Sequence, residues 1–290
     1  MLGQYKVGRQ SKLTKALIPY QFIYTKDNFM ALQYRTKGFI YKKRDRGEAD
    51  RIFTVFTYDF GKIDIWARSI RKIDSKLKSG IDIFYLSEIE FVQGKKKTLT
   101  DAVLIHKFSD IIINPEKSAV ACKIAKVLEA FIHGQEHDHE IFALIIETFK
   151  KLNTYNLPAT SYNLIFIYFL WNFFAILGYT PELSNCAHCH GKLNEKELYF
   201  SNKDGGVVCK DCHATNTLDS RISAQGGPAS GWRGNDTAVD SDVIKILRII
   251  LANKWETLLK LKINLSTQKE LNNISKNYYL YLLSSYSFKK

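Results

Sequence analysis

The chain has 290 residues, of which 46% are hydrophobic, so it is long enough for two ordinary domains and apolar enough to form a core. Its formal net charge of +13 favours an anionic partner, such as nucleic acid or a membrane surface, over an acidic small substrate. Five cysteines, four of which stand in two Cys-x2-Cys pairs, argue against a secreted disulfide scaffold.

Residues 1–29 lack the regular hydrophobic pattern of the rest of the chain. Five basic residues face one acidic residue there, and no hydrophobic period persists. We interpret this segment as a poorly ordered N-terminal extension, with a start assigned too early as the alternative explanation. Because strand patterning begins abruptly at Met30, a chain that begins at Met30 is expected to fold and to bind its partner like the whole protein.

Residues 30–110 predict a small β-barrel. Five runs rich in β-branched and aromatic residues alternate with turn signals such as Arg46-Gly47 and Ser79-Gly80. The predicted strands are 36–43, 51–57, 62–67, 81–91 and 98–107. Five short strands that close on themselves predict an OB-type barrel, a common nucleic-acid-binding fold, although a five-stranded SH3-like barrel fits the periodicity nearly as well.

Clusters of basic residues lie in and beside the predicted connections of this barrel. Between Gln33 and Lys97, sixteen Lys and Arg residues stand against nine Asp and Glu residues, interleaved with aromatic residues such as Trp66. Phosphates attract clustered cations and unpaired bases stack on flat rings, so we interpret the pattern as a DNA-binding surface. The alternative is that these are solvated loops, which fits Lys95–Lys97 equally well. The candidate DNA-contacting residues are Arg44, Arg46, Arg68, Arg71, Lys72 and Lys76.

Residues 111–290 predict an α-helical domain. Asn114 and Asp138 are placed to cap two helices, with Pro115 in the first turn of the earlier one. Cys122 falls within that helix and is expected to be a small buried side chain. Three histidines at the junction of these helices lack a matching carboxylate spacing and are interpreted as surface residues, not metal ligands. They are His133, His137 and His139.

An apolar helix over residues 164–177 is the predicted centre of this domain. Thr160 and Ser161 are placed to cap its start, and Gly178 to end it in a left-handed conformation. The apolar stretch contains Asn172 and is shorter than the roughly 18 residues that cross a bilayer. With neither a membrane span nor a secretory signal predicted, we expect a cytoplasmic protein.

Two Cys-x2-Cys pairs separated by nineteen residues follow this helix. Each pair can present two thiolates to one ion, so the arrangement predicts a tetrahedral zinc site in an insertion at 184–215. Four cysteines complete the coordination shell, which makes the site structural and the adjacent histidines unnecessary as ligands. The predicted ligands of a single Zn²⁺ ion are Cys186, Cys189, Cys209 and Cys212.

The remaining sequence predicts a linker and further helices. Residues 220–238 are rich in Gly, Ser, Ala and Asn and predict a flexible loop, followed by a helix over 243–261. Thr267 and Glu270 are placed to form the capping box of the last helix. The predicted fold class is therefore α+β multidomain: an OB-type β-barrel, then an α-helical domain that carries the four-cysteine zinc-binding pair.

The motifs of common enzymes are absent from the sequence. It contains no Walker loop, dinucleotide-binding glycine turn, nucleophile elbow or His-Glu-x-x-His zinc motif. Its carboxylates are scattered, without the clustering that a two-metal nuclease needs. We therefore expect a binding protein and not an enzyme.

Three stretches carry motifs that occur together in one protein family. Residues 44–52 read Arg-Asp-Arg-Gly-Glu-Ala-Asp-Arg-Ile, and Thr57 with Gly61-Lys62 follows. Residues 177–183 read Leu-Gly-Tyr-Thr-Pro-Glu-Leu before the first cysteine pair, and residues 205–212 read Gly-Gly-Val-Val-Cys-Lys-Asp-Cys. In these motifs the sequence, from about residue 30 to its C-terminus, resembles the RecO family of bacterial recombination mediators. His190 stands where that family usually has glycine, and residues 1–29 and 220–238 have no counterpart.

The resemblance implies a DNA repair protein that binds single- and double-stranded DNA through its barrel and anneals complementary strands. With RecR, it would help load RecA onto single-stranded DNA coated by single-strand-binding protein, at the bacterial nucleoid. The helical domain would receive the C-terminal tail of that coating protein. Some members of the family lack the cysteines, which implies a structural zinc ion. Candidate cations of the tail-binding surface are Arg248, Lys254, Lys260 and Lys262.

Two other function classes fit parts of the sequence. In a zinc-ribbon RNA-binding or transcription-type regulator, the cysteine pairs themselves contact nucleic acid, which a basic rim would favour. Between Cys186 and Cys212, however, four basic residues stand against four acidic ones. A zinc-dependent nuclease or hydrolase needs an open coordination position, and four cysteines leave none.

Overall fold

A computed structural model of the protein describes residues 20–24, 30–135, 137–158, 161–194, 197–214 and 236–287. Its strands are β1 Tyr20–Tyr24, β2 Met30–Arg46, β3 Asp50–Thr57, β4 Gly61–Ala67, β5 Tyr85–Gln93, β6 Lys97–Lys107, β7 Leu198–Ser201, β8 Gly206–Cys209 and β9 Thr237–Val239. Its helices are α1 Ser109–Ile113, α2 Pro115–Phe131, α3 His139–Thr154, α4 Tyr162–Ile176, α5 Ser241–Leu251, α6 Trp255–Lys260 and α7 Leu265–Ser287.

Strands β2 to β6 close into a barrel. The sheet runs β2-β3-β4-β6-β5, and β2 also pairs with β5, so its two ends meet. The pairings are antiparallel except between β4 and β6, where Trp66 lies opposite Thr98 on parallel strands. This strand order is that of an OB fold, so the OB-type prediction is confirmed and the SH3-like alternative is wrong.

Alternation along the strands gives the barrel two apolar surfaces. Inside the barrel, Phe53, Val55 and Ile65 are fully buried. On its outside, Phe39 and other rings pack into the helical core, where the Phe39 and Phe149 ring centres lie 4.4 Å apart. The barrel and the helical domain are therefore joined by a continuous apolar core.

A strand precedes the barrel. Tyr20–Tyr24 pairs antiparallel with Met30–Tyr34, ahead of Gly38, where β2 begins to pair with β3. The prediction of a poorly ordered extension did not include this strand, because its period is too short to recognise in a basic segment. The other residues of that extension, 1–19 and 25–29, lie outside the described residues.

Several helix boundaries agree with the predictions. The Asn114 side chain accepts hydrogen bonds from the backbone N–H groups of Glu116 and Lys117, and Asp138 caps α3 in the same way. Gly178 follows α4 with a φ of +86°, the left-handed conformation that glycine adopts without strain. The histidines between α2 and α3 lie at the surface as expected, and His139 stacks on Tyr58 with ring centres 4.0 Å apart.

Other local predictions are wrong. The Ser161 side chain makes no capping hydrogen bond, and Thr160 lies outside the described residues. The helix expected over 243–261 breaks between α5 and α6, where Asn253 has a φ of +54°. Cys122, expected to be buried, is exposed because it lies on the outer side of α2.

The last helix begins differently from the prediction. The side chain of Asn264, not Thr267, accepts the capping hydrogen bond, at 2.8 Å from the Thr267 nitrogen. Glu270 instead accepts a hydrogen bond from the backbone N–H of Asp240. The predicted flexible loop ends in β9, and its residues 220–235 are among those the structure does not describe. None of the helices in the described ranges combines the length and apolarity needed to cross a bilayer.

Glu129 of α2 links the helical domain to the barrel. Its carboxylate lies 3.2 Å from the ammonium groups of both Lys42 and Lys62. Partial burial raises the pKa of Glu129, but the hydrogen bonds and charges of the two lysines outweigh it and hold the pKa below its ordinary value of 4.5. A lowered pKa in the folded protein means that this carboxylate stabilises the fold above its ordinary pKa.

We expect Glu129→Gln to lower the free energy of unfolding at pH 7 by about 1 kcal/mol, a modest value because the pair is partly solvated. The difference from the parent should vanish as the pH falls below 4.5 and through the folded-state pKa, where the parent carboxylate is protonated too. Denaturant unfolding at pH 7 and at a series of pH values below 4.5 measures this. Glu48→Gln, at an exposed carboxylate, is the control and should leave stability unchanged. A pH-independent difference would contradict the assignment.

Candidate metal centre and nucleic-acid interface

The four predicted cysteine ligands meet in one cluster. Cys186 and Cys189 lie in the loop after α4, Cys209 ends β8, and Cys212 lies in the helical turn at 210–214. Their four sulfur atoms all lie within 4.8 Å of one another, and those of Cys189 and Cys209 are 3.9 Å apart. Zinc–sulfur bonds of about 2.3 Å place the sulfurs of a tetrahedral site about 3.8 Å apart, so the cluster fits a metal ion.

The protonation chemistry of the cluster also fits a cation. Burial raises the pKa of Cys186, but backbone N–H groups, including that of Cys209 at 3.4 Å, donate to its sulfur and lower the pKa to about 6. Burial, followed by the neighbouring thiols, raises the pKa of Cys212. Several thiolates at this spacing repel one another unless a cation lies between them, and a bound cation would remove that conflict.

Backbone geometry explains the motif residues around the two knuckles, which are the Cys-x2-Cys segments 186–189 and 209–212. Gly206 approaches the chain so closely that an added Cβ would lie 2.4 Å from the Glu182 carbonyl oxygen. His190 closes the first knuckle with a φ of +59°, a conformation that glycine adopts more readily. Histidine in place of glycine therefore keeps the same turn, with some strain in the backbone of His190.

Several charged side chains around the cysteines are paired with each other. Lys210 lies 2.6 Å from Glu197, and His213 lies 3.0 Å from Asp236 while stacking on Tyr199. A cationic side chain that is already paired with a carboxylate is less available to bind a phosphate. Basic and acidic residues balance between Cys186 and Cys212, and several of them are paired, which argues against direct nucleic-acid contact there.

On the barrel, the acidic residues of the motif at 44–52 hold the β2–β3 hairpin in place. Asp45 accepts a hydrogen bond from Arg51 at 2.7 Å, and this bond is the main cause that lowers the pKa of Asp45. Asp50 accepts from the Ser69 backbone at 2.7 Å and from the Trp66 indole at 2.8 Å. The hydrogen bond from Ser69 is the main cause that lowers the pKa of Asp50.

These bonds bring the loop after β4 against the hairpin. The Arg71 backbone N–H donates to Ala49 at 2.9 Å, and its guanidinium to the Gly47 carbonyl at 3.3 Å. The loop and hairpin therefore place Arg71 next to the turn that follows Arg46. All six candidate DNA-contacting residues have exposed side chains.

Arg44 stands apart from the hairpin cluster. Its guanidinium pairs with Asp64 at 3.0 Å on the barrel surface that continues towards Glu129. Lys76 begins a 3₁₀ turn at the far end of the loop after β4. The candidate set thus divides into a cluster around the hairpin, a paired arginine and a distal lysine.

The structure adds Lys96 to the candidate DNA contacts. The sequence alone fitted a DNA contact and a solvated loop equally well at Lys95–Lys97. Lys96, in the β5–β6 turn, places its ammonium 3.8 Å from the centre of the Trp66 ring, and Arg68 lies 5.7 Å from the same ring. Alternation along β4, where Ile63 and Ile65 point inward, is the sequence signal that places Trp66 outside. No local signal connects Trp66 with Lys96, because their contact depends on the β4–β6 pairing.

Comparison with known proteins assigns the family. The sequence model described as Recombination protein O N terminal matches residues 30–108, and that described as Recombination protein O C terminal matches residues 114–290. DNA repair protein RecO of Dehalococcoides mccartyi is 33% identical over 239 residues, which cover 82% of this chain and 86% of the relative. DNA repair protein RecO of Desulfitobacterium hafniense is 28% identical, with 83% and 82% covered. The chain therefore belongs to the RecO family of DNA repair proteins.

Proposed function

We propose that the protein is a non-catalytic recombination mediator. In this function it binds single- and double-stranded DNA, anneals complementary strands and, with RecR, helps load RecA onto single strands coated by single-strand-binding protein. Family membership supports this proposal. The cysteine cluster argues against catalysis at a bound ion, because four ligands would fill a tetrahedral shell and leave no open position for a substrate.

The observation that carries the proposal is the exposed basic cluster at one end of the barrel. The β2–β3 hairpin and the β5–β6 turn flank Trp66, and in OB folds the corresponding loops and the adjoining strand face bind oligonucleotides. Arg46, Arg68 and Arg71 are exposed around this position. Guanidinium groups can form paired hydrogen bonds with phosphate oxygens, which contributes affinity without reading base sequence.

A strand-annealing assay tests the function. We expect the purified protein to accelerate pairing of complementary strands, both bare and coated with single-strand-binding protein, because its cations reduce repulsion between the two backbones. The same reaction without protein and with a protein of similar charge, such as lysozyme, gives the controls. Annealing no faster than with the charge-matched control would contradict the proposal.

We propose that the metal is one Zn²⁺ ion per chain and that its role is structural. The all-sulfur ligand set favours zinc or an iron–sulfur centre over Mg²⁺ or Ca²⁺, which take oxygen ligands. Zn²⁺ is colourless, whereas iron–sulfur clusters absorb visible light, so elemental analysis with an absorption spectrum distinguishes the two. An ion bound by both knuckles would hold the loop after α4 against β8.

The acidic tail of single-strand-binding protein is proposed to dock on the helical domain. Such a tail combines carboxylates with an apolar tip, so its receptor needs cations beside an apolar groove. Lys262 borders a groove of about 370 Å³ that is lined by Leu164, Leu258 and Leu271. Arg248, by contrast, donates a hydrogen bond to the carbonyl of Leu183, just before the first knuckle.

Charge reversal tests this docking surface. We expect Lys260→Glu with Lys262→Glu to weaken binding of a tail peptide about tenfold or more, measured by fluorescence anisotropy at low salt. Lys123→Glu with Lys276→Glu changes the charge equally at a second apolar groove, of about 480 Å³, and is the matched control. If only the control pair weakens binding of the tail peptide, the tail docks in the second groove and the proposed surface is wrong.

A further inference from the structure

Trp66 has an orientation fixed by the fold and a ring that solvent can reach. The ring is half-buried on the outer face of β4, and its indole N–H donates to Asp50 at 2.8 Å. Asp50 is itself held by the Ser69 backbone N–H. The other described tryptophans, Trp171 and Trp255, are buried in the helical core. Trp66 is thus the described tryptophan that an external ligand can contact.

The surroundings of this ring are cationic. Lys96 lies 3.8 Å and Arg68 5.7 Å from the ring centre, and together with Lys95 they line a cleft of about 300 Å³. Among the described residues that line the cleft, none is acidic. An aromatic face between exposed cations matches the chemistry of a nucleotide, which presents a flat base beside a phosphate.

We propose that Trp66 is a stacking platform for an unpaired nucleobase and that Lys96 leaves the ring face to contact the adjoining phosphate. This inference rests on the proposed DNA-binding function and adds a preference to it. Bases within a duplex are already stacked on their neighbours, so the platform favours single strands. Every base has a flat face, so the platform discriminates little between sequences.

An abasic oligonucleotide separates stacking from phosphate binding. It keeps the phosphates of a thymidine oligonucleotide of equal length but offers no bases. We expect the parent protein to bind the thymidine strand roughly 5- to 150-fold more tightly than the abasic strand, the range of one base–aromatic stack. Trp66→Ala should lose most of this ratio and keep its affinity for the abasic strand.

Trp66→Phe is the matched variant. Both substitutions remove the hydrogen bond to Asp50, but phenylalanine keeps an aromatic face, so it should retain most of the ratio. Tryptophan fluorescence gives a second measurement that needs no alanine variant. The thymidine strand should quench the parent more than the abasic strand does, and Trp66→Phe should remove that difference.

Each result has a distinct meaning. A Trp66→Ala protein that keeps the parent ratio, or a Trp66→Phe protein with the parent's quenching difference, overturns the platform while leaving the DNA-binding proposal intact. A parent protein that binds neither oligonucleotide overturns the proposed function itself. Lys96→Ala should keep the ratio and flatten the salt dependence by about 0.7 in the log–log slope, which assigns Lys96 to phosphate.

Discussion

Replacing Cys189 by serine is expected to release the proposed zinc ion and to lower the free energy of unfolding by about 4–5 kcal/mol. This is the size of effect that the loss of a structural metal site produces. Serine is a poor ligand for zinc, and the three remaining cysteines would no longer complete the tetrahedral shell. The two segments that carry the knuckles would then lose the ion that connects them.

The destabilisation should extend into the helical domain. Strand β7 packs one face against the core through Phe200, whose ring lies 5.8 Å from that of Trp171 in the central helix. Val207 of β8 is buried in the same core. DNA binding should change only indirectly, because the proposed contacts lie on the barrel and the cysteines lie at 186–212.

Cys122 provides the control for this experiment. It is exposed on α2 and lies outside the cluster, so Cys122→Ser should keep one zinc ion per chain and change stability by less than about 0.5 kcal/mol. Elemental analysis and chemical denaturation measure both variants. A Cys189→Ser protein with full zinc content, or a parent purified without chelator that holds no metal, would show that the site is not structural zinc.

Features with a short sequence period could be predicted. Alternation along 62–67 predicts a strand that the structure confirms, and burial repeats at every second residue of β4. The strand predicted at 51–57 is also confirmed, although β3 is buried on both faces from Phe53 to Thr57. The cysteine spacing likewise predicted the cluster of four sulfur atoms. Each knuckle brings two sulfur atoms together locally, so the fold has only to bring the two knuckles together. Helix caps at Asn114 and Asp138 followed from residues within one turn.

Features that depend on distant partners could not be predicted in this way. Glu270 fitted a local capping box, yet it accepts a hydrogen bond from Asp240, thirty residues earlier in the sequence. Arg44 looked like a free cation, but β-sheet pairing brings Asp64 to it. The contact between Lys96 and Trp66 likewise requires the barrel to close. Charge counts identify a basic surface, and tertiary structure decides which cations on it remain available.

The candidate DNA contacts can be ranked by how strongly each cation is already bound within the protein. Arg71 and Lys72 lie on the loop beside the hairpin. The guanidinium of Arg71 makes a long hydrogen bond to the Gly47 carbonyl, at 3.3 Å, and a long, partly solvated ion pair with Asp45, at 3.7 Å. Arg44 has a shorter bond to Asp64, which DNA must break before that arginine can contact phosphate. Substitution at 71 and 72 should therefore weaken DNA binding more than substitution of Arg44 does.

We expect Arg71→Glu with Lys72→Glu to weaken single-strand binding on the order of 10- to 100-fold at low salt, since two phosphate contacts are lost and two repulsions added. The log–log salt slope should flatten by about 1.4, or about 0.7 for each contact. The melting temperature should stay close to the parent value, because half-exposed ion pairs contribute little stability.

Lys126→Glu with Lys150→Glu makes the same change in net charge at exposed positions on the helical domain, and so controls for long-range electrostatics. Long-range attraction depends on the total charge and would weaken equally in both double variants, whereas direct contacts weaken only at 71 and 72. Anisotropy titrations at several salt concentrations compare the two. If the variant at 71 and 72 keeps the parent affinity and slope while folding normally, those side chains are solvated and the barrel holds DNA elsewhere.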